Sequence, residues 1–317
     1  MYDVTALGEL LIDFAPAGAD GDGYPVLAAK AGGAPPNLLA ALSKYGAKTA
    51  MLCKVGTDAF GRLLAETLEK NGIETAGIVF DPDVFTTLAF VTIDESGERS
   101  FSFARKPGAD TCLRFDELDL ALIDKAKIFH HGTLSLTHEP ARAATQKAVA
   151  YAKAAGKLIS LDPNLRVSLW DSLDEAKKQI LWGLENADIV KISDEEVSFL
   201  WNCSPEEGAQ KLLSEFDVRL AMVTLGPDGA VLCNRNGMVK VSCPKVTPVD
   251  TTGAGDIFGG SALSRLLKLG KMPEQLDKAE LLSIGNFAAA AASLSTQCFG
   301  GVPSVPDEAK VLEILAI

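Results

Sequence analysis

Residues Asp250-Thr251-Thr252-Gly253-Ala254-Gly255-Asp256 set two aspartates around a run of small residues, and Ile257-Phe258-Gly259-Gly260 follow directly. The segment before them, Met238-Val239-Lys240-Val241, reads as a strand, and Pro244 and Pro248 mark the intervening loop. After Asp256, the apolar residues Ile257, Phe258, Ala262, Leu263, Leu266 and Leu267 recur near helical period. The glycines therefore sit where a loop turns into a helix N-terminus. There the first backbone N–H groups lack intrahelical partners and the helix dipole is positive. Gly253 and Gly255 carry no side chain to hold an anion away from those groups. The pattern predicts a phosphate cradle over Gly253, Ala254 and Gly255, with the Asp256 carboxylate in its first turn. An acidic helix cap would account for Asp256 alone, but not for Asp250, both threonines and the repeated glycines together.

The common phosphate-binding motifs are excluded. A Walker-type loop needs Gly-Lys-Ser/Thr, and Gly156-Lys157-Leu158 and Gly270-Lys271-Met272 do not supply it. The dinucleotide fingerprint needs a third glycine where Phe258 stands. The segment Asp250–Asp256 instead resembles the C-terminal signature of the ribokinase/PfkB family of sugar and nucleoside kinases. Gly32-Gly33-Ala34-Pro35-Pro36-Asn37 resembles the N-terminal signature of the same family. The two occur in the family's order and separation, and the resemblance covers essentially the whole chain.

The chemistry follows from residue types. Phosphoryl transfer to a sugar hydroxyl needs in-line attack, an acceptor for the hydroxyl proton and stabilisation of the γ-phosphoryl charge. Asp256 is the candidate general base, and the N–H groups from Gly253 to Asp256 form the anion hole. A carboxylate at a helix N-terminus is expected to have a low pKa, so its proton should move late. Asp250 and Thr252 offer oxygens that suit a hard cation; Asp250 as a loop cap is the plainer reading. The resemblance implies a monovalent cation, usually K⁺, held between this loop and the Cys298-Phe299-Gly300-Gly301-Val302-Pro303-Ser304 loop, which makes Cys298, Gly300 and Ser304 candidates.

Ser193-Asp194-Glu195-Glu196 resembles the family's Asn-x-x-Glu element, which supports Mg²⁺ and phosphates. Ser193 stands where the family has Asn, and Glu196 fits the Glu position. A serine N-cap with an acidic first turn explains the segment almost as well. The resemblance implies ATP contacts at Thr224, Gly226 and Gly229 and places Asn286 near the adenine; a simple β-turn over Thr224–Gly229 is the alternative. Asp13, Gly32, Gly33 and Asn37 match the acceptor-sugar positions. Arg105-Lys106-Pro107-Gly108-Ala109-Asp110 and Asp162-Pro163-Asn164-Leu165-Arg166 resemble the fructokinase branch. They add Arg105, Asn164 and Arg166 as candidate sugar or phosphate contacts, with solvated surface charge the alternative for each arginine.

These residues need a scaffold, and the chain predicts one. Strand patterns at Val4–Glu9, Thr49–Val55, Ile128–His130, Leu158–Leu161, Ile189–Lys191 and Ala221–Thr224 alternate with helical patterns at Asn37–Tyr45, Gly61–Asn71, Pro140–Ala155, Ser172–Glu185 and Glu195–Trp201. Such alternation implies an α/β fold with a mostly parallel sheet flanked by helices. Segments near 12–30 and 85–105 break the pattern. The second reads as a hairpin, Leu88–Ile93 and Arg99–Phe103 around Asp94-Glu95-Ser96-Gly97. The resemblance implies a ribokinase-like three-layer fold, one domain over 1–317, with these segments forming a small β-sheet lid.

The bulk properties agree. A chain of 317 residues with 47% hydrophobic and 23% charged residues is an ordinary globular composition. A net charge of −12 argues against nucleic acid or an anionic membrane as partner. It also means that ATP must be drawn in by a local positive field. The six cysteines form no Cys-x-x-Cys and the three histidines no zinc spacing. Reduced buried thiols, no signal peptide at Met1-Tyr2-Asp3-Val4 and a cytoplasmic setting are expected. The apolar run Phe287–Ala292 is too short to span a bilayer. The sequence thus predicts an ATP- and Mg²⁺-dependent carbohydrate kinase, with K⁺ as a further ion, most like fructokinase, and possible pairing of two copies through the lid. 2-Keto-3-deoxygluconate or other ketose and riboside acceptors stay open, as does a non-catalytic sugar-binding protein.

Overall fold

A computed structural model describes residues 1–93 and 99–316. The strands are β1 (Val4–Leu7), β2 (Leu11–Ala19), β3 (Pro25–Gly32), β4 (Thr49–Gly56), β5 (Ile73–Glu74), β6 (Ile78–Asp81), β7 (Leu88–Ile93), β8 (Arg99–Ala104), β9 (Ile128–His131), β10 (Leu158–Leu161), β11 (Ile189–Ser193), β12 (Leu220–Thr224), β13 (Ala230–Asn234) and β14 (Gly237–Val241). The α-helices are α1 (Ala34–Lys44), α2 (Ala59–Lys70), α3 (Leu120–Asp124), α4 (Ala141–Ala154), α5 (Leu173–Glu185), α6 (Asp194–Trp201), α7 (Pro205–Glu215), α8 (Ala254–Leu269), α9 (Lys278–Ser295) and α10 (Glu308–Leu315).

The main sheet runs β14-β13-β12-β11-β10-β9-β1-β4-β5, with β6 also on β4. From β5 to β12 every pairing is parallel, and only β13 and β14 join antiparallel. Strand β4 is buried at every residue, as expected where helices cover both faces of a parallel sheet. Because β9, β10, β11 and β12 run parallel in near register (Leu161 opposite His131, Ser193 opposite Thr224), their C-terminal ends emerge along one edge. Asp162, Ser193 and Thr224 are carried to that edge, where open α/β sheets form their sites.

A second sheet, β3-β2-β7-β8, is built from the two segments that break the alternation. Its strands pair Asp13 with Lys30 on one side and with Ala89 on the other. Phe14 stacks on Phe90 at 5.2 Å and meets Phe60 of α2 edge-on at 5.5 Å, which joins this sheet to the body. The expected turn Asp94-Glu95-Ser96-Gly97 lies outside the described residues.

The site-bearing helix α8 begins where the glycine pattern puts it. Gly253 is its N-cap, with a left-handed φ of 79° that favours glycine, and Gly270 closes its C-terminus at φ 64°. α8 packs between α1 and α9. Its buried Ile257, Phe258, Ala262, Leu263 and Leu266 are the residues whose spacing announced the helix. Strands β5, β6 and β13 and helices α3, α7, α9 and α10 lie beyond the sequence reading.

Candidate active site

The N-terminus of α8 is closed in by three other parts of the chain. A Cβ on residue 253 would lie 2.9 Å from Gly301 Cα and 3.0 Å from Asn37 Nδ2, and one on residue 255 would lie 2.9 Å from Lys191 Nζ. The small residues here admit an amide and an ammonium to the start of α8. Asp256, one residue on, is 8% exposed, and its Oδ2 accepts a 2.9 Å hydrogen bond from Asn37 Nδ2. The expectation of a low pKa is corrected. Burial pushes the Asp256 carboxyl up to about 7, the Asp162 carboxylate reinforces the rise, and Lys191, Asn37 and Arg166 oppose it. Loss of water outweighs the helix dipole because the Asp256 side chain, in the first turn of α8, is itself buried.

Lys191 rises from β11 and is 9% exposed. Its Nζ pairs with Asp162 at 3.1 and 3.3 Å. Glu196 is buried beside this pair. Its Oε1 accepts from Leu165 N at 2.6 Å and its Oε2 from Ser193 N at 2.8 Å, while Ser193 Oγ accepts from Glu196 N. Ser193 and Glu196 therefore make a capping box on α6, as the plainer sequence reading had it, and Glu196 also fastens the loop that carries Asn164 and Arg166. Asn164 takes a left-handed φ of 47°, and Arg166 is exposed. The sequence reading gave no role to Lys191 or Asp162. The signal available was a lysine inside the apolar run Ile189-Val190-Lys191-Ile192.

On the other side stand Asp13 and the Gly32-Gly33 turn. A Cβ on residue 32 would fall 1.9 Å from Asp13 Oδ2, so the carboxylate occupies the place a side chain would take. Burial pushes Asp13 up to about 7; Arg166 opposes this and Asp250 adds to it, so Asp13 feels both loops across the site. Gly33 caps α1, and the buried Glu9 accepts from Ala34 N at 2.8 Å, which fixes the start of the helix that carries Asn37. Asn37 Oδ1 is a buried acceptor with no hydrogen-bond partner among the described residues.

Arg105 requires a correction. It does not extend toward sugar or phosphate. The side chain is 2% exposed, with Nε and Nη2 on Asp110 at 2.9 and 2.6 Å, Nη1 on Thr137 Oγ1 and Nη2 also on Leu134 O. Asp110 also accepts from Thr87 Oγ1. Since Thr87 precedes β7 and Arg105 follows β8, one carboxylate fastens both body-side ends of that hairpin.

The loops expected to hold a monovalent cation do meet. Asp250 Oδ1 accepts from Thr252 N at 2.8 Å and Oδ2 from Gly300 N at 3.0 Å, and Asp250 N donates to Thr296 O. Ser304 is buried with its hydroxyl on Gly301 O, while the Cys298 side chain is exposed. Thr224 ends β12, Gly226 and Gly229 lie in the turn that follows, and Asn286 is exposed on α9, which packs on β13 and β14. Among the described residues no group of three or more His, Cys, Asp or Glu is placed to hold a metal ion. His130 and His131 are buried in the body, where burial holds their pKa values down to about 3 and about 4.

The family model for pfkB family carbohydrate kinases matches residues 1–308. The chain belongs to that family. This kinase is 43% identical to Fructokinase-1 of Zea mays over 316 residues, 98% of this chain and 97% of that one. Its structure is similar to that of a fructokinase with bound ATP from Xylella fastidiosa, with a TM-score of 0.89, 29% identity and coverage of 100% and 99% of the two chains. It is also similar to a fructokinase from Vibrio cholerae O395 bound to fructose, ADP and a calcium ion, with a TM-score of 0.86, 33% identity and 99% of each chain covered. Among the described residues of the kinase, no helix is long and apolar enough to cross a membrane.

Proposed function

We propose that this kinase transfers the γ-phosphoryl group of ATP to a hydroxyl of fructose, giving fructose 6-phosphate. The observation that carries the reading is the hydrogen bond from Asn37 to Asp256, which joins the sugar-side helix to the phosphate cradle in one buried site. Asp13 and the free Oδ1 of Asn37 hold the sugar's hydroxyls. Asp256 accepts the proton of the attacking hydroxyl as its oxygen bonds to phosphorus. The bond from phosphorus to the bridging oxygen breaks, and its electron pair leaves with ADP. The N–H groups of Gly253, Gly255 and Asp256 face the transferring charge, while that of Ala254 donates to Thr251 O and braces the turn.

Thr224, Gly226, Gly229 and Asn286 hold the nucleotide in this reading. Glu196 would support Mg²⁺ carried on the ATP phosphates; both of its oxygens already accept backbone N–H groups, which suits support better than sole ligation. When bound, the ion neutralises charge on the β- and γ-oxygens. The oxygen-rich loops at Asp250–Thr252 and 298–304 suit K⁺, with Asp250 fastening the two loops together. The small sheet acts as a lid over the sugar within a single domain, and its outer strands β3 and β8 offer edges for a second copy. A coupled ATPase assay with fructose, ribose, adenosine and 2-keto-3-deoxygluconate tests the activity. A higher kcat/KM for another acceptor removes fructose, and turnover stimulated by no sugar removes the kinase reading for this chain.

A further inference from the structure

We infer that Lys191 is a catalytic residue that binds the transferring phosphoryl group, and that Asp162 holds its ammonium in place beside the anion hole. The inference rests on the proposed phosphoryl transfer and deepens it.

Three observations carry it. Lys191 Nζ stands where a side chain on Gly255 would begin, 2.9 Å from that Cβ position, so the ammonium borders the backbone that forms the cradle. Both of its protein hydrogen bonds go to one carboxylate, that of Asp162, at 3.1 and 3.3 Å. An ammonium has three donors, so one remains without an acceptor among the described residues in a buried place. Finally, Lys191 keeps its charge there. Asp162, Glu196 and Asp256 all act on Lys191 and raise its pKa, while burial opposes them. A lysine needed only to balance Asp162 has no reason to press against a glycine at a helix N-terminus.

The chemistry is specific. The chain carries a net charge of −12, and the γ-phosphoryl oxygens bring several negative charges to Gly255. A compact, buried ammonium beside the cradle supplies the local positive field that this transfer requires. As the bond from phosphorus to the bridging oxygen breaks, the third N–H of Lys191 meets the equatorial oxygen nearest Gly255. Asp162 keeps the ammonium from swinging to Asp256, which must stay free to take the sugar proton. Lys191 exchanges no proton and forms no covalent bond.

The test uses Lys191→Met and, because that change strands Asp162, the double variant Lys191→Met/Asp162→Asn, which removes one positive and one negative charge together. Folding is checked by thermal melting. The folded variants are expected to lose about 10²-fold or more in kcat, the magnitude for one oxyanion-hole donor. They are also expected to bind AMP-PNP about tenfold more weakly while binding ADP as the wild type does, measured by calorimetry without sugar. A structural role would weaken both nucleotides together or neither. A folded double variant with kcat within threefold of wild type, or with equal losses for AMP-PNP and ADP, overturns the inference. A wild-type protein that phosphorylates no sugar overturns the proposed function instead, and the AMP-PNP to ADP comparison still reads Lys191.

Discussion

The amide of Asn37 donates a 2.9 Å hydrogen bond to Asp256 across 219 residues of sequence. It connects the first helix of the chain, which follows the Gly32-Gly33 turn, to the helix whose N-terminus is the proposed phosphate cradle. Both partners are buried, so the bond forms with little competition from water. A sugar held by Asn37 is thereby held against the candidate base.

Asp256→Asn keeps the shape and one acceptor but removes the proton sink. kcat is expected to fall about 10²-fold or more, from the general-base magnitude, with ATP affinity spared. Steady-state kinetics and nucleotide binding by calorimetry check this, and near-normal turnover would remove Asp256 from the mechanism.

The pH dependence follows from the raised pKa of the same group. Burial first, and then Asp162, hold Asp256 up at about 7. A base is useless while protonated, so kcat/KM for ATP at saturating sugar should fall about tenfold per unit as pH drops below 7 and level off above it. Asp162→Asn removes one cause of the rise and leaves Lys191 to act on Asp256, so the acidic limb should move to lower pH. A limb that stays in place, or moves up, contradicts the assignment.

Much of this site was legible because its signals are local. Gly253-Ala254-Gly255-Asp256 declares a helix N-terminus from residue type and spacing alone, and Asn37 follows a glycine pair at a helix start. Lys191 was not legible. Its partner Asp162 lies 29 residues earlier, just past the end of the neighbouring strand β10, and only strand order brings the two together. Arg105 was misread for the related reason that its partner Asp110, although near in sequence, turns it inward. Helix α9 escaped because it is apolar nearly all round, from Phe287 through Ala292, and so shows no amphipathic period. Helix α7 could have been read, since Ser204 and Glu207 form a capping box.

The Arg105–Asp110 pair should behave as structure. Arg105→Ala leaves a buried carboxylate uncompensated, and a loss of about 3–5 kcal/mol in urea unfolding is expected. Removing both charges, Arg105→Met with Asp110→Leu, should recover most of that loss. If Arg105→Ala leaves stability unchanged and raises only the sugar KM, the charge belongs to the substrate after all.

The loop pair around Asp250 gives an ion dependence. Replacing K⁺ by tetramethylammonium, too large for a site of loop oxygens, should lower turnover. Asp250→Ala removes the acceptor for Thr252 N and Gly300 N and should abolish the response. Wild-type activity indifferent to K⁺ would end the proposal.

The last prediction separates the two halves of the site. Asp13 sits on β2 of the small sheet, with its carboxylate in the space left by Gly32, whereas the proposed nucleotide positions lie around the end of β12 and on α9. A carboxylate that accepts sugar hydroxyls in a buried place leaves them unpaired when it is removed, and such sites discriminate strongly. Asp13→Ala should therefore abolish fructose binding while ADP affinity stays within about twofold of wild type, a change of under ~0.5 kcal/mol. Asp13→Asn should bind fructose weakly, because one carbonyl replaces two charged acceptors. Titration calorimetry of each ligand alone reads both effects. If Asp13→Ala weakens ADP as much as fructose, the two subsites are not independent, and Asp13 acts through the Arg166 and Asp250 loops whose charges it faces. If it weakens neither, the sugar lies elsewhere, and the Gly32–Asp13 contact is only a packing device of the small sheet.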